Sequence, residues 1–172
     1  MNLALIGYRG TGKSAVAAIL SQKLGMEAVS LDAEIVREAG MSIPEIVEKH
    51  GWPWFRDLES DITRRFSERD GLILDTGGGV ILRPENTQNL HRNGAIFWLK
   101  ATVEVIVDRI QESTERPALT EGKSFLEEIE EILSERLPLY RAAADREIDT
   151  DLLTPTAVAD EIIREFRTLA AD

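Results

Sequence analysis

Cysteine is absent from the 172-residue sequence, and only two histidines, His50 and His91, are present. The lack of cysteine excludes a disulfide framework, a thiol nucleophile and any site in which cysteines ligate zinc or an iron–sulfur cluster. Two isolated histidines do not make a histidine-rich metal site. We therefore expect neither redox nor zinc chemistry from this chain.

Positive charge and long apolar runs are also scarce. The 20 Lys and Arg residues face 31 Asp and Glu residues, and the net charge of -11 disfavours binding to nucleic acid or to anionic lipid. No apolar run approaches the roughly 20 residues of a membrane-spanning helix, and residues 1–3 lack the basic region of a secretory signal. These features predict a cytoplasmic protein with no nucleic-acid or membrane partner.

Short apolar runs alternate along the chain with longer stretches of helical periodicity. Such an alternation predicts an α/β fold, in which helices cover a parallel sheet. A hydrophobic content of 43% over 172 residues suits one compact domain. The predicted strands lie within 3–6, 28–29, 72–74, 95–99 and 147–148, and the most regular predicted helices are 14–24, 124–143 and one that opens at 154–155.

Residues 7–14, Gly-Tyr-Arg-Gly-Thr-Gly-Lys-Ser, match the phosphate-binding pattern G-x-x-x-x-G-K-[ST]. They lie between a predicted strand and a predicted helix, as the motif requires. Its glycines let backbone N–H groups point at phosphate oxygens, and the helix start adds its positive end. We expect Lys13 to reach the β- and γ-phosphates and Ser14 to ligate Mg²⁺. The residues predicted to hold the nucleotide phosphates are Gly10, Thr11, Gly12, Lys13, Ser14 and Ala15.

The rest of the chain favours a kinase over other users of nucleoside triphosphates. A GTPase would need an N-K-x-D motif to read the base, but no asparagine is followed by lysine. A large mechanical ATPase would need more chain. The size fits a kinase of small molecules or nucleotides.

Five further motifs follow the phosphate-binding loop. They are Asp32 with Ile35 three residues later, Phe55-Arg56-Asp57-Leu58-Glu59, Thr76-Gly77-Gly78-Gly79, Arg116-Pro117-Ala118-Leu119 and Arg136-Leu137-Pro138-Leu139-Tyr140. Each motif alone is common, but five in one order and spacing are hard to obtain by accident. Together they resemble the shikimate kinases almost from end to end.

This resemblance implies a P-loop kinase fold, with three α/β/α layers, a five-stranded parallel sheet and a lid loop. It implies a single kinase domain over 1–172 and a monomer. The core would be 1–31, 72–112 and 144–172, the substrate-binding region 32–70 and the lid about 112–124. The implied reaction moves the γ-phosphoryl group of ATP, with Mg²⁺, onto the 3-hydroxyl of shikimate.

The resemblance assigns Arg56 and Arg136 to the carboxylate of shikimate, and a planar guanidinium suits the bidentate pairing that a carboxylate offers. Glu59 lies three residues after Arg56 on a predicted helix, so it can hold that guanidinium in place. Gly77, Gly78 and Gly79 would let backbone N–H groups approach the substrate and the γ-phosphate. The alternative for these glycines is a simple turn.

Asp32 would accept hydrogen bonds from the substrate hydroxyls and take the proton of the attacking one. The alternative is that Asp32 is only the N-cap of the following helix. By the same resemblance, Arg116 on the lid would neutralise charge on the transferred phosphoryl group. Arg109 would stack on adenine, with 150–155, including Leu153 and Pro155, as the other wall.

The sequence departs from the family pattern at four positions, which are Ser30, Trp52, Ala118 and Leu153. Ser30 stands where an aspartate near Mg²⁺ is usual, and a neutral hydroxyl attracts a hard cation less strongly. Asp75 ends the third predicted strand, where many P-loop enzymes place a magnesium-supporting aspartate. We therefore predict that Ser14 ligates Mg²⁺ and that Asp75 holds its waters. The alternative is that Asp75 caps a turn or pairs with a cation.

Two other functions stay open from the sequence. One is a related kinase that acts on another polyol acid, such as gluconate. The other is a non-catalytic module that only binds ATP.

Overall fold

The computed structural model describes residues 1–112 and 124–171. Five parallel strands form one sheet in the order β2-β3-β1-β4-β5, so the predicted α/β fold with a five-stranded parallel sheet is confirmed. The strands extend one or two residues beyond the predicted apolar runs. Their bounds are β1 Asn2–Ile6, β2 Glu27–Ser30, β3 Leu72–Asp75, β4 Gly94–Lys100 and β5 Arg146–Asp149.

The described residues also form eight α-helices and one turn of 3₁₀ helix at Val80–Leu82. The helices are α1 Lys13–Leu24, α2 Leu31–Ala39, α3 Ile43–His50, α4 Trp52–Ser67, α5 Pro84–Arg92, α6 Val103–Glu112, α7 Phe125–Ala143 and α8 Pro155–Ala171. None of them, within the described ranges, has both the length and the apolar character needed to cross a membrane.

Helices cover both faces of the sheet because successive strand side chains point to opposite faces. Leu3 and Leu5 of β1 pack in one buried cluster with residues of α1 and α8. Ala4 and Ile6 of the same strand pack in a second cluster, with residues of α2, α3, α4, α5 and α7. Both clusters are buried, and they lie on opposite faces of the sheet. The molecule therefore has three layers, with helices on either side of the sheet.

Ser30, and not Asp32, is the N-cap of α2. The Ser30 hydroxyl accepts a hydrogen bond from the Ala33 backbone N–H at 3.2 Å, and Asp32 lies in the first turn. The alternative that Asp32 is only a helix cap is therefore wrong. Two good capping residues stand close together here, and the one at which the strand ends becomes the cap.

All five strands run in one direction, so their carboxyl ends meet at one edge of the sheet. The phosphate-binding loop leaves β1 there, Asp32 follows β2 and Asp75 ends β3. In parallel sheets this edge is where ligands bind. The predicted lid, about 112–124, lies almost wholly outside the described residues, and Arg116 and Ala118 lie outside them too. The division of the domain into core, substrate-binding region and lid stays a prediction.

Candidate active site

A cleft of about 630 Å³ opens at the carboxyl edge of the sheet. Its wall combines the phosphate-binding loop, the start of α2, the segment after β3 and one side of α6. The predicted site residues that line it are Gly10, Gly12, Lys13, Ser14, Ala15, Asp32, Asp75, Gly77, Gly78 and Arg109. Residues distant in sequence thus share one cavity. Among the described residues, six further predicted site residues are not among those that line it, namely Thr11, Arg56, Gly79, Arg136, Leu153 and Pro155.

Glycine is required at several points of the phosphate-binding loop. Gly7, Gly10 and Gly12 have φ values of 147°, 80° and 91°, a region that side chains disfavour. A Cβ atom on Gly7 would lie 2.6 Å from the carbonyl oxygen of Leu99, and one on Gly10 would lie 3.0 Å from Ile110. The loop therefore keeps its tight curl only with glycine at these places.

Lys13 and Thr11 fix the loop from within. The Lys13 ammonium donates hydrogen bonds to the backbone oxygens of Gly7 and Tyr8, at 2.7 and 3.1 Å. The Thr11 hydroxyl donates to the Tyr8 oxygen at 2.8 Å. Lys13 is only 8% exposed, so the loop holds its positive charge close to the backbone that curls around it.

Ser14 and Asp75 meet at the base of the cleft. The Ser14 hydroxyl donates to a carboxylate oxygen of Asp75 at 2.7 Å. Burial holds the pKa of Asp75 above its ordinary value, although the hydrogen bond from Ser14 and the charge of Lys13 act in the opposite direction. A hydroxyl and a carboxylate are both hard oxygen donors of the kind that Mg²⁺ prefers.

This oxygen pair does not form a magnesium site by itself. Within 1–112 and 124–171, no three Asp, Glu or His side chains cluster in a way that could hold a metal ion. Mg²⁺ usually keeps several waters and is bound through one or two carboxylates together with substrate phosphates. Ser14 and Asp75 fit that kind of site, in which the nucleotide completes the shell.

Arg56 and Glu59 form a buried ion pair on α4. Arg56 Nη1 donates to Glu59 Oε1 at 2.7 Å, and the two side chains are only 15% and 3% exposed. The i,i+3 spacing of the sequence had predicted this contact. Trp52, one of the departures, lies with its ring centroid 5.2 Å from Cζ of Arg56. The guanidinium is therefore held from two sides.

Asp32 and Arg136 lie near this pair. Burial holds the pKa of Glu59 above its ordinary value. The charges of Arg56 and Arg136 act against this shift, and the charge of Asp32 adds to it. Side chains from α2, α4 and α7 thus act on the same buried carboxylate. The arrangement presents two guanidinium groups and one carboxylate besides Glu59.

Each glycine of the 77–79 segment passes close to a different one of these side chains. A Cβ atom on Gly77 would lie 2.7 Å from Asp32 Oδ1, and one on Gly78 would lie 3.5 Å from Arg136 Nη1. A Cβ atom on Gly79 would overlap the Arg56 guanidinium. The segment also makes a turn, since the Val80 N–H donates to the Gly77 oxygen at 3.2 Å. A turn alone does not explain this packing.

Arg109 joins the phosphate-binding loop to the segment after β5. Its guanidinium donates to the backbone oxygen of Gly10 and to both oxygens of Thr150, each at 3.2 Å. Leu153 lies further along this segment and is 37% exposed, and Pro155 begins α8. The structure brings Arg109 and the predicted second wall together at Thr150.

Arg9 and Tyr140 line or support the site but were not predicted to do so. Arg9 lines the cleft from within the phosphate-binding loop. The Tyr140 hydroxyl donates to the backbone oxygen of Gly78, and burial raises the pKa of Tyr140 to about 12 although the charge of Arg136 opposes this. A signal existed for Tyr140, because it lies one helical turn after Arg136 on α7.

Comparisons with known proteins agree with this geometry. A family model described as "Shikimate kinase" matches residues 9–167. A shikimate kinase of Thermodesulfovibrio yellowstonii is 41% identical over 169 residues, which are 98% of this chain and 96% of the relative. A shikimate kinase of Geobacter metallireducens is 42% identical over 149 residues, covering 87% of this chain and 82% of the relative.

Solved structures give the same result. The shikimate kinase of Acinetobacter baumannii in complex with shikimate superimposes with a TM-score of 0.91 at 32% identity, covering 99% of this chain and 95% of that one. The shikimate kinase of Aquifex aeolicus gives a TM-score of 0.82 at 30% identity and covers 99% of both chains.

Proposed function

The chain belongs to the shikimate kinase family, and from this membership we propose that it transfers the γ-phosphoryl group of ATP to the 3-hydroxyl of shikimate, as a monomer. The products are shikimate 3-phosphate and ADP. One observation supports this acceptor most directly. The buried Arg56–Glu59 pair, Arg136 and Asp32 lie beside the phosphate-binding loop, so cations for a carboxylate and an acceptor for a hydroxyl proton adjoin the nucleotide site.

The phosphate-binding loop holds the triphosphate in this proposal. Backbone N–H groups of residues 10–15 bind the phosphate oxygens, and the start of α1 adds its positive end. Lys13 contacts the β- and γ-phosphates, and Arg109 lies at the adenine side. Arg116 supplies positive charge to the transferred group, as the family resemblance implies.

Arg56 and Arg136 bind the carboxylate of shikimate through their planar guanidinium groups. Glu59 fixes the orientation of Arg56, and Gly77–Gly79 allow the ring to approach the backbone. Asp32 accepts the proton of the 3-hydroxyl while the oxygen of that hydroxyl attacks the γ-phosphorus. The bond from the γ-phosphorus to the bridging oxygen of ADP breaks. Catalysis thus depends on positioning and on electrostatic stabilisation.

Mg²⁺ fits the oxygen pair of Ser14 and Asp75. In this proposal Ser14 ligates the ion directly, and Asp75 holds its waters. When bound, the ion would neutralise charge on the β- and γ-phosphate oxygens. The Ser30 hydroxyl lines the cleft but accepts the capping hydrogen bond of α2, so it is not assigned to the ion.

A coupled assay of ADP release tests the function. ATP should turn over with shikimate but not with gluconate or with nucleoside monophosphates. Turnover with gluconate instead would indicate the kinase of another polyol acid. Binding of ATP without turnover of any acceptor would indicate the non-catalytic module.

Replacing Arg56 or Arg136 with Lys should weaken shikimate binding about tenfold or more and leave ADP affinity nearly intact. A point charge cannot reproduce the bidentate fork, and a hydrogen bond to a charged group contributes about 1.5–3 kcal/mol. Equilibrium titrations with each ligand measure this. Equal loss of both ligands would mean that the arginines act on the fold and not on the acceptor.

Replacing Asp75 with Asn should raise the Mg²⁺ concentration for half-maximal activity about 10- to 100-fold, the usual effect of losing a group that orients metal ligands. Ser30→Ala is the matched control. It should lower the melting temperature, because a helix cap is worth about 1 kcal/mol, but change the Mg²⁺ requirement much less. A larger Mg²⁺ effect from Ser30→Ala would contradict the assignment.

A further inference from the structure

Arg9 is a cation of the phosphate-binding loop that the proposed mechanism leaves without a role. It lines the cleft, and its guanidinium Cζ lies 5.9 Å from the ring centroids of both Tyr8 and Phe125. Its Nε and Nη2 atoms are buried and have no hydrogen-bond partner in the described part of the chain. The guanidinium is therefore held between two rings with donors unused.

An unused buried donor costs most when it is charged. Arginine cannot shed its proton in a protein, so Arg9 cannot reduce this cost by becoming neutral. Over the described ranges, buried side-chain polar atoms without a partner occur on Tyr8, Arg9, Ser60, Ser67 and Asn86. Arg9 is the charged member of that group, and it lies in the cleft.

The other cations of the cleft have partners in the protein. Arg109 bonds to Gly10 and Thr150, and Lys13 bonds to the loop carbonyls. Arg56 does not line the cleft, and it pairs with Glu59. These groups already have at least part of their hydrogen bonding satisfied. By contrast, Nε and Nη2 of Arg9 have no acceptor in the described part of the chain. An anion with several oxygens is the acceptor that suits these two donors.

The position of Arg9 selects among the anions that enter the cleft. Its backbone N lies 3.7 Å from the place that a Cβ atom of Gly78 would take, and Gly78 in turn adjoins Arg136. The Arg9 backbone therefore lies where the nucleotide end of the cleft meets the acceptor end, and its guanidinium lies near the Tyr8 and Phe125 rings. We propose that Arg9 binds the γ-phosphoryl group of ATP at this junction, an inference that rests on the proposed binding of ATP by the loop.

Such a contact would distinguish ATP from ADP. ADP has no γ-phosphoryl oxygens, so its affinity does not depend on Arg9. Arg9 thus adds a positive charge from the loop itself, separate from the Arg116 assignment.

The test uses Arg9→Met, which keeps an unbranched side chain and removes the charge. Calorimetric titration should show about tenfold or greater loss of affinity for a non-hydrolysable ATP analogue, with ADP affinity within about twofold of the original. The ligand-free protein should melt at the same temperature or higher, since an uncompensated buried charge is removed. Arg37→Met is the matched control, because Arg37 is an exposed arginine outside the cleft, and it should change none of these quantities.

Several outcomes would overturn the proposal. Equal losses for the ATP analogue and ADP would mean that Arg9 shapes the loop, and no loss for either would mean that it binds neither. Loss of shikimate affinity alone, measured with ADP present, would make Arg9 a carboxylate ligand. If Arg9→Met does not fold, Arg9→Gln, which also removes the charge, carries the same comparison. Failure of the unmodified protein to use shikimate would overturn the proposed function but would not change this ATP–ADP difference.

Discussion

Replacement of Asp32 by Asn is expected to reduce turnover by about 10²- to 10⁴-fold, the usual contribution of a general base. The amide has nearly the shape of the carboxylate but cannot accept the proton of the attacking hydroxyl. Asp32 is packed against the backbone, since a Cβ atom on Gly77 would lie 2.7 Å from its Oδ1. An isosteric change should therefore preserve the site while removing its base. ADP affinity should stay nearly unchanged.

Turnover in the coupled assay, together with an ADP titration, measures this effect. Glu34→Gln is the matched control, because Glu34 lies in the same first turn of α2 and pairs with Arg37 outside the cleft. It should leave turnover within a few-fold of the original. If Asp32→Asn also retained turnover within a few-fold, Asp32 would not be the proton acceptor.

The layered fold could be predicted because buried parallel strands are continuous apolar runs. β1, β3 and β4 are apolar over most of their length, and they are the three inner strands of the sheet. β2 and β5 are edge strands and half exposed, so only two residues of each were predicted. Asp32 was considered as a helix cap because an aspartate before an apolar helical stretch is a good N-cap, but β2 continues to Ser30, and Ser30 is the cap.

Local spacing predicted the Arg56–Glu59 pair, because both residues lie on one helical face. By analogy Ser14 and Asp75 were both predicted to serve one Mg²⁺ ion. Their direct hydrogen bond was not predicted, since it joins two elements that the sequence alone does not place side by side. The environment of Arg9 was not predictable at all. An arginine between glycines suggests an exposed loop, and the ring of Phe125, from a helix much later in the chain, is what helps to enclose it.

Gly79→Ala is expected to weaken shikimate binding by at least about thirtyfold, since losing a buried charged contact costs about 2–5 kcal/mol. Gly79 has φ −99° and ψ 9°, so the backbone itself does not exclude alanine. The added Cβ atom would overlap the Arg56 guanidinium. That group cannot withdraw freely, because it pairs with Glu59, whose side chain is 3% exposed. The substitution therefore either displaces the carboxylate-binding group or breaks its buried ion pair.

A double-mutant cycle separates this effect from loss of the Gly79 backbone contact. In an Arg56→Ala background, Gly79→Ala should cause no further loss of shikimate affinity, because the group that it would strike is gone. Gly78→Ala is the matched control, because it adds a Cβ atom in the same turn without a steric clash. That Cβ atom would lie 3.5 Å from Arg136 Nη1, which is an ordinary contact distance. Additive losses from Gly79→Ala and Arg56→Ala would contradict the steric argument. They would mean that Gly79 contributes to shikimate binding through its own N–H and that the position of Arg56 does not depend on it.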